Sequence, residues 1–320
     1  MDYIKCAKDV FDMEINAINQ TKMSIGDDYE KIVELLIKCD GKIILCGMGK
    51  SGHVAKKIAA TLSSLGTSSF FLHPAEALHG DLGMISANDV VILISNSGET
   101  QEILHMLPSI KFIGAKMVGI TSSENSTLSN VCDYVQIIPK AEEACALNLA
   151  PTSSTTAVLA YGDALAVTIS KYHGFTKENF ALFHPEGTLG KKILVRVSDI
   201  MATGKAIPIV KSGCNISDAI MEMSRKKLGV VTIINEQSCL MGILTDGDLR
   251  RAIEKRVDMY SDVIDNIMTK NPQWITQDIL AAEALQKLKQ RSLNNYPVVD
   301  EYMKVIGVIT WQMIVKSGIM

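Results

Sequence analysis

Short apolar segments alternate with longer segments of helical periodicity through the first half of the chain. The apolar segments are residues 42–46, 69–72, 90–94, 117–120 and 134–138. Such alternation is typical of a parallel sheet covered by helices on both faces, in which ligands bind beyond the carboxyl ends of the strands. Helical periodicity also covers residues 1 to about 38 and residues 155–173. The pattern therefore predicts an α/β fold.

The second half of the chain contains an internal repeat. Residues 199–201 (DIM) are matched by 266–268 (NIM), and residues 242–245 (GILT) by 307–310 (GVIT). Units as short as these copies are marginally stable alone, so we expect the two to pack together as one module. The predicted organisation is N-terminal helices over 1–38, an α/β domain over 39–190, a linker over 191–197, and repeat copies over 198–257 and 262–320.

Composition excludes several classes of function. The net charge of -3 over 320 residues, with a pI near 6.1, argues against nucleic acid or an anionic membrane as a partner. Seven scattered cysteines without a CxxC motif, and a start that lacks the apolar core of a signal peptide, favour a reduced, cytoplasmic protein. None of the six histidines follows residue 184, so any acid–base chemistry is expected in the first 190 residues or so.

A hydroxyl-rich loop follows the third apolar segment. Because it stands between a buried strand and the start of a helix, free N–H groups and the helix dipole would favour a phosphate there. Ordinary helix capping needs one such polar residue, whereas this loop has several around a glycine. Without a fixed cation, the loop suits a phosphomonoester better than a triphosphate. The residues are Ser95, Asn96, Ser97, Gly98, Glu99 and Thr100.

The first apolar segment ends in a literal G-x-G-x-x-G, at residues 47–52. This motif suggests a dinucleotide, but the next strand ends at His73 without the acidic residue that would bind a ribose. A Walker A motif is also excluded, since the required upstream glycine is missing. What remains is a glycine-rich turn that presents Lys50 and Ser51, where an anion-binding role is favoured over a solvated surface cation.

Three further segments carry groups suited to chemistry. His73 and His79 lie with two carboxylates in residues 73–83, and we favour a polar loop at a cleft mouth over a metal site because the spacing matches no standard ligand set. Glu143 is either a solvated acid or, if apolar neighbours raise its pKa, a proton shuttle. Cys145 has no base or cation nearby in sequence, which argues against a nucleophile. His184 is fixed by a proline and a glycine-rich turn.

Together these motifs resemble the arabinose-5-phosphate isomerase family, in which a sugar isomerase (SIS) domain precedes a pair of CBS motifs. The resemblance runs from about residue 30 to the end of the chain. It implies a flavodoxin-like, parallel five-stranded sheet with flanking helices, followed by a tandem CBS module. The segments that carry it are residues 47–53, 73–83, 95–99, 143–145, 149–155 and 162–166, and the turn at His184.

The resemblance implies reversible isomerisation of D-arabinose 5-phosphate and D-ribulose 5-phosphate through an enediol, the first step towards Kdo for lipopolysaccharide or capsule. It places the activity on Lys50, Glu102, Glu143 and His184. It also implies a homotetramer with shared active sites and no required cofactor, with zinc as an inhibitor that His73 could bind. Substrate contacts are expected from Ser51, Gly66, Thr67, His79, Ser95, Asn96, Ser97 and Thr100.

The chain departs from the family pattern in two places. Glu186 stands in the His184 turn where a glycine is expected, which adds bulk and charge beside a residue of the active site. The first CBS copy has Thr245, Asp246 and Asp248 in the nucleotide-binding pattern, whereas the second copy reads TWQM at 310–313. At most one adenosine-type site is therefore expected, for a nucleotide or a nucleotide sugar.

Three other functions remain open on the sequence. A different SIS isomerase would act on a hexulose or amino-sugar phosphate. A non-catalytic sensor would bind a sugar phosphate and signal through partners, but it would need no acid–base set such as Lys50, Glu143 and His184. An oxidoreductase that uses the turn at residues 47–52 is the least favoured.

Overall fold

The computed structural model describes residues 1–319 and divides into two compact units, residues 1–180 and residues 181 onward. The strands of the first unit are β1 (Ile43–Gly47), β2 (Ser69–Leu72), β3 (Val90–Ile94), β4 (Lys116–Thr121) and β5 (Tyr134–Ile137). Its helices are α1 (Tyr3–Met23), α2 (Asp27–Ile37), α3 (Gly49–Ser64), α4 (Pro74–Ala77), α5 (Gln101–Ile113), α6 (Thr127–Val131) and α7 (Ser153–Tyr172), and α8 (Lys177–Phe183) crosses the boundary. The predicted strands are confirmed to within a residue or two at each end.

The first unit is built on one five-stranded sheet of order β2-β1-β3-β4-β5, in which every pairing is parallel. This is the predicted flavodoxin-like order, and its direction of winding reverses between β1 and β3. The loops that follow these two strands therefore diverge to opposite faces and leave a crevice at the carboxyl edge. The glycine-rich turn and the hydroxyl-rich loop flank that crevice.

Alternate strand residues serve two separate cores. Ile43, Leu45 and Ile92 pack with α2, α3 and α7 on one face, while Ile44 and Leu93 pack with α5 on the other. Strands buried on both faces explain the continuous apolar runs in the sequence. Helices α1 and α2 contribute to the first of these cores, so residues 1–38 belong to the same unit as the sheet.

The second unit contains α9 (Thr188–Leu194), α10 (Val197–Ile200), α11 (Ile216–Lys226), α12 (Asp246–Glu254), α13 (Ala281–Arg291) and α14 (Trp311–Lys316). Its strands are β6 (Ile209–Lys211), β7 (Val230–Ile234), β8 (Leu240–Thr245), β9 (Thr269–Lys270), β10 (Asn295–Val299) and β11 (Val305–Thr310). They form a four-stranded sheet of order β6-β7-β8-β9 and the antiparallel pair β10-β11. Within residues 1–319 no helix combines the length and the apolar character needed to cross a membrane.

The internal repeat is visible in the pairing pattern of the second unit. Within the first copy β6 runs parallel to β7, and a single bridge between Ile275 and Val298 reproduces this parallel pairing within the second copy. The antiparallel pairings run between the copies: β8 of the first copy pairs with β9 of the second, and a single bridge joins Ala202 of the first copy to Val308 of the second. An apolar cluster that includes Val230, Ile243 and Val308 joins the copies, as expected for two units that cannot each bury a full core.

Two predicted boundaries differ from the structure. Residues 181–190, assigned from sequence to the α/β domain, lie in the second unit. Residues 191–197, predicted as a linker, include most of α9. The reason is packing, since Ala281 N–H donates to the Val195 carbonyl at 2.9 Å and Val197 N–H donates to the Ile279 carbonyl at 3.0 Å. These backbone bonds hold the segment against the second CBS copy.

Candidate functional site

The glycine-rich turn places Lys50 and Ser51 in the first turn of α3. A Cβ on Gly52 would lie 2.5 Å from the Gly47 carbonyl oxygen, so only glycine lets this helix start so close to the end of β1. Lys50 is exposed and Ser51 is half-buried. The turn therefore presents a cation and a hydroxyl at a helix N-terminus, where both are suited to an anionic ligand.

The hydroxyl-rich loop after β3 is shaped by its own side chains. Ser95 is buried, its Oγ lies 2.7 Å from Thr100 Oγ1, and the Gly98 N–H donates to it at 3.1 Å. Asn96 and Ser97 are exposed. Ser95 and Thr100 therefore hold the loop in shape, whereas Asn96 and Ser97 are the members of the predicted set that face outward.

Gly98 and Glu99 anchor the hydroxyl-rich loop to the start of α6. Gly98 has φ +69°, and a Cβ there would collide with the Ser126 side chain. The Glu99 carboxylate accepts the Thr127 N–H at 2.6 Å and the Thr127 hydroxyl at 2.9 Å, so it caps α6. A close contact and a carboxylate cap, made by two adjacent residues, thus fasten the loop to the start of α6.

A cavity of about 40 Å³ lies at the carboxyl edge of the sheet, where the two loops meet α7. Its polar lining includes Ser51 and Asn96, which were predicted, and Ser154 and Thr155, which were not. The structure therefore brings the turn after β1, the loop after β3 and the start of α7 to one point. The sequence offered one signal for the third element, a run of hydroxyl residues at 152–156 where a helix begins.

Glu143 is joined to this point through the N-terminus of α7. Its Oε2 accepts the Thr152 N–H at 2.7 Å, the Thr152 hydroxyl at 3.1 Å and the Ser154 N–H at 3.3 Å, and Oε1 accepts the Ser154 hydroxyl. The first N–H groups of a helix have no partner within the helix, so a carboxylate here satisfies them. Since Ser154 also lines the cavity, one hydrogen bond separates the carboxylate from the cavity wall.

Of the two alternatives left open for Glu143, the one that requires a raised pKa is not what the structure shows. Partial burial raises the pKa, but the hydrogen bonds from Ser154 and Thr152 together outweigh it and hold the pKa below its usual range. Burial alone would have raised the pKa, as that alternative required. Glu143 is therefore a carboxylate at neutral pH, able to accept a proton.

Cys145 lies in the same segment as Glu143. Its sulfur accepts the N–H groups of Ala150 and Leu149 at 3.1 Å each, and these bonds lower the pKa of the thiol. No base or cation lies near Cys145 in the sequence. The backbone supplies the stabilising dipoles instead, an arrangement that side-chain identity does not reveal.

The remaining predicted residues of the first unit lie at different places around the sheet. Glu102 is half-buried on the first turn of α5. His73 is the exposed N-cap of α4, and His79 is exposed after that helix. Among residues 1–319, no group of three or more His, Cys, Asp or Glu side chains is arranged to hold a metal ion. Binding of zinc at His73 stays a prediction.

Gly66 and Thr67 lie between α3 and β2, at the amino end of that strand. The hydroxyl-rich loop follows the carboxyl end of β3, which runs parallel to β2 within the same sheet. The structure therefore does not bring these two residues to the loop of their own subunit. Gly66 has a structural role, since it adopts φ +96° and a Cβ there would lie 2.6 Å from the Phe175 ring.

A second cavity, of about 770 Å³, lies between the two repeat copies of the second unit. Thr245 and Asp246 line it as predicted, whereas Asp248 is not among the lining residues. Asp248 is buried, and its carboxylate accepts bonds from the Thr245 N–H and hydroxyl, from Arg251 and from Thr269. These bonds make Asp248 part of the cap of α12, and a contact between its carboxylate and a bound nucleotide stays a prediction.

Both units match known protein families. The SIS domain family matches residues 35–168, and the CBS domain family matches residues 197–255 and 263–318. The arabinose 5-phosphate isomerase KdsD of Pseudomonas aeruginosa is 44% identical over 320 residues, which cover 100% of this chain and 98% of that protein. The chain belongs to the arabinose 5-phosphate isomerase family. KdsD of Escherichia coli K12 is 42% identical over 318 residues, 99% of this chain and 97% of that protein.

A solved structure supports the same family for the first unit. A protein of E. coli CFT073 in complex with arabinose 5-phosphate is 46% identical, has a TM-score of 0.57, and covers 57% of this chain and 98% of its own. The predicted resemblance to the arabinose 5-phosphate isomerase family is therefore confirmed, as are the α/β fold and the CBS pair. His184, which follows α8 in the second unit, lies beyond the residues that the SIS family matches.

Proposed function

We propose that this chain interconverts D-arabinose 5-phosphate and D-ribulose 5-phosphate. Full-length similarity to members of the arabinose 5-phosphate isomerase family supports the substrate. The single structural observation that carries the proposal is the cavity at the carboxyl edge of the sheet, where Ser51, Asn96 and Ser154 converge beside the Glu143 carboxylate. With a volume of about 40 Å³ the cavity is too small for a whole sugar phosphate, so it is proposed to take one end of the substrate, whose remainder lies along the exposed groups of the two loops.

The phosphate is assigned to the loop after β3 and the turn after β1. Ser97 and Ser51 offer hydroxyls, and the first turns of α5 and α3 offer N–H groups and favourable dipoles. Ser95 and Thr100 keep the loop in shape for this purpose. A phosphate fixed at this edge would place the sugar carbons towards α7 and Glu143.

In the proposed reaction Glu143 removes the proton from C2 of the open-chain aldose. The electron pair of that bond forms the C1–C2 double bond of an enediolate, and negative charge develops on O1. Lys50 stabilises this charge, and His184 moves protons among the hydroxyls and assists ring opening. Transfer of the O2 proton to O1, and return of the proton from Glu143 to C1, give the ketose. Glu102 is assigned to orienting one of these three catalytic side chains.

The test follows ribulose 5-phosphate formation from D-arabinose 5-phosphate without added metal or nucleotide. Lys50→Ala and His184→Ala should each abolish turnover, whereas Lys56→Ala, an exposed lysine on the same helix as Lys50, should not. If D-arabinose 5-phosphate were inert while a hexulose or amino-sugar phosphate reacted, the substrate would be another one. Binding without turnover of any of these would favour the sensor.

We further propose a cytoplasmic homotetramer that needs no cofactor, is inhibited by zinc at His73, and supplies Kdo synthesis. The position of Gly66 and Thr67 at the amino end of β2 favours shared sites, in which these residues serve a neighbouring subunit. The CBS cavity is proposed to take a nucleotide or nucleotide sugar, with Asp246 for ribose hydroxyls and Trp311 for stacking of the base. Light scattering tests the tetramer, and metal titration of His73→Ala tests the inhibitory site.

A further inference from the structure

Glu143 is connected to the start of α7 by a loop, residues 144–151, that is neither helix nor strand. Two large apolar side chains of this loop face solvent, since Leu147 is 77% exposed and Leu149 is 76% exposed. Apolar side chains stabilise a conformation only when they are removed from water. Hydrogen bonds, and not the burial of these leucines, therefore hold the loop in shape.

Three consecutive backbone donors of the loop converge on Cys145. The Asn148 N–H donates to the Cys145 carbonyl at 2.8 Å. The N–H groups of Leu149 and Ala150 each donate to the Cys145 sulfur at 3.1 Å. Asn148 has φ +54°, a left-handed conformation that asparagine adopts more readily than most residues. The loop therefore closes on Cys145, which accepts with both its carbonyl and its side chain.

The next donors tie this closed loop to Glu143. Pro151 has no N–H, and the Thr152 N–H donates to the Glu143 carboxylate at 2.7 Å. In the opposite direction, the Glu143 N–H donates to the Asn148 side-chain carbonyl at 2.7 Å. Cys145 and Glu143 thus accept every backbone N–H from residue 148 to residue 152, and the position of one constrains the position of the other.

The loop also borders the cavity at the carboxyl edge of the sheet. Pro151, next in sequence to the sulfur-bound Ala150, lines that cavity, as does Ser154, which donates to Glu143. A general base acts only within hydrogen-bond reach of the proton that it removes, and a misplacement of about 1 Å can cost roughly 10²-fold in rate. The shape of the loop therefore bears directly on what the Glu143 carboxylate can do.

Loss of the sulfur would release two N–H groups of this loop. Water would replace the sulfur as their acceptor, and residues 144–151 would regain conformational freedom that the native loop has given up. The Glu143 carboxylate would then spend less time in the orientation that the structure shows. The groups assigned to the phosphate lie on other loops, after β1 and β3, and would keep their positions.

We propose that Cys145 is a positioning residue for Glu143, whose sulfur holds the loop in the shape that keeps the carboxylate beside the cavity. The proposal rests on the proposed function, because Glu143 must act as the base. The thiol itself takes no part in making or breaking bonds. Cys145 should therefore affect kcat, which depends on Glu143, and leave KM, which depends on the phosphate loops, nearly unchanged.

The experiment measures kcat and KM of the full-length protein for D-arabinose 5-phosphate. Cys145→Ala removes the sulfur, and kcat should fall about 10- to 100-fold with little change in KM. Cys145→Ser, whose hydroxyl oxygen can accept the same N–H groups, should recover most of this loss. Cys6→Ala, which removes an exposed thiol from α1, is the matched control and should stay at the wild-type values.

Hydrogen exchange at the amides of Leu149 and Ala150 gives a readout that does not depend on turnover. Exchange should be faster in Cys145→Ala than in the wild type and should slow again in Cys145→Ser. Normal kcat in Cys145→Ala, a loss confined to KM, or exchange that is the same with and without the sulfur would overturn the proposal.

Cys145→Ser also decides the matter if Cys145→Ala does not fold. A serine variant with nearly normal kcat and slow exchange supports a positioning role, whereas a serine variant as impaired as a base mutant would show that the thiol itself is needed and would overturn the proposal. A wild type inactive on D-arabinose 5-phosphate, whose exchange at these two amides nevertheless depends on the sulfur, would count against the proposed function alone.

Discussion

The N-termini of α7 and α12 each hold a carboxylate in a similar way, and they differ in what the carboxylate can still do. Glu143 and Asp248 both accept hydrogen bonds from serine or threonine hydroxyls and from backbone N–H groups. In both cases burial raises the pKa, and the hydrogen bonds outweigh this effect and hold the pKa below its usual value. Both groups are therefore ionised at neutral pH.

The difference lies in where each carboxylate comes from along the chain. Asp248 belongs to the helix that it caps and also bonds Arg251 and Thr269, so its side chain is only 6% exposed. Glu143 reaches α7 from a separate segment and is partly exposed beside the cavity lined by Ser154. Both carboxylates cap a helix through similar hydrogen bonds. The Asp248 carboxylate is enclosed by protein and is structural, whereas the Glu143 carboxylate faces a cleft on one side and is available for chemistry.

The largest effect is expected from neutralising Glu143. Glu143→Gln keeps the size of the side chain but removes the base, and turnover of D-arabinose 5-phosphate should fall by about 10²- to 10⁴-fold. Glu142→Gln, which alters the exposed neighbouring acid, should stay near wild type. Near-normal turnover in Glu143→Gln would reduce Glu143 to a helix cap like Asp248.

Gly98→Ala tests whether substrate binding depends on the backbone conformation of the loop after β3. The new Cβ would collide with Ser126 and would impose a left-handed conformation that only glycine adopts at low cost. We expect kcat/KM to fall roughly 10- to 100-fold, since displaced binding groups misplace the substrate. Gly26→Ala, where a Cβ meets open space, is the matched control. Unchanged kinetics in Gly98→Ala would contradict the assignment of phosphate to this loop.

Asp248→Ala should affect stability rather than chemistry. Loss of its charge-assisted hydrogen bonds should lower the free energy of unfolding of the second unit by about 2–3 kcal/mol. Trp274 and Trp311, the two tryptophans of the chain, both lie in that unit, so their fluorescence in a urea titration reports it selectively. Asp246→Ala, whose carboxylate lines the cavity, is the control and should shift the midpoint much less.

The difference in stability between the wild type and Asp248→Ala should depend on pH in a definite direction. Because the pKa of folded Asp248 is lowered, its stabilisation is fully present above the unfolded pKa, about 3.9 for an aspartate, and is lost as the pH falls through the folded pKa. The gap between wild type and Asp248→Ala should therefore be constant near neutrality and close in acid. A gap that persists in strong acid would show that packing, and not the carboxylate charge, is responsible.

Ser154→Ala is expected to have the smallest effect. Loss of the hydroxyl donor raises the pKa of Glu143, so the acid limb of kcat/KM should move to higher pH, while activity at neutral pH changes less than about tenfold because the group is still ionised there. Ser154→Thr should restore the limb, and Thr156→Ala on the same helix should leave it in place. An unmoved limb in Ser154→Ala would show that another group controls it.

Much of the fold was legible in the sequence because its signals are local. The apolar runs at β2 and β3 have the observed bounds, since strands buried on both faces leave an unbroken hydrophobic signature. The repeat predicted a paired CBS module, and the motifs predicted the family. Lys50, Ser51 and the hydroxyl-rich loop could be placed because residues at the carboxyl ends of parallel strands share one edge of the sheet.

Contacts between segments distant in sequence were decided only by the tertiary structure. The pKa of Glu143 depends on Thr152 and Ser154, whose hydrogen bonds could not be inferred from its apolar neighbours. Asp248 also accepts a hydrogen bond at 3.0 Å from the hydroxyl of Thr269, 21 residues away, a contact that its place in the sequence motif does not reveal. The His184 turn belongs to the second unit because α9 packs there. The free energy of such packing depends on which surfaces meet, and the periodicity of the sequence carries no information about those surfaces.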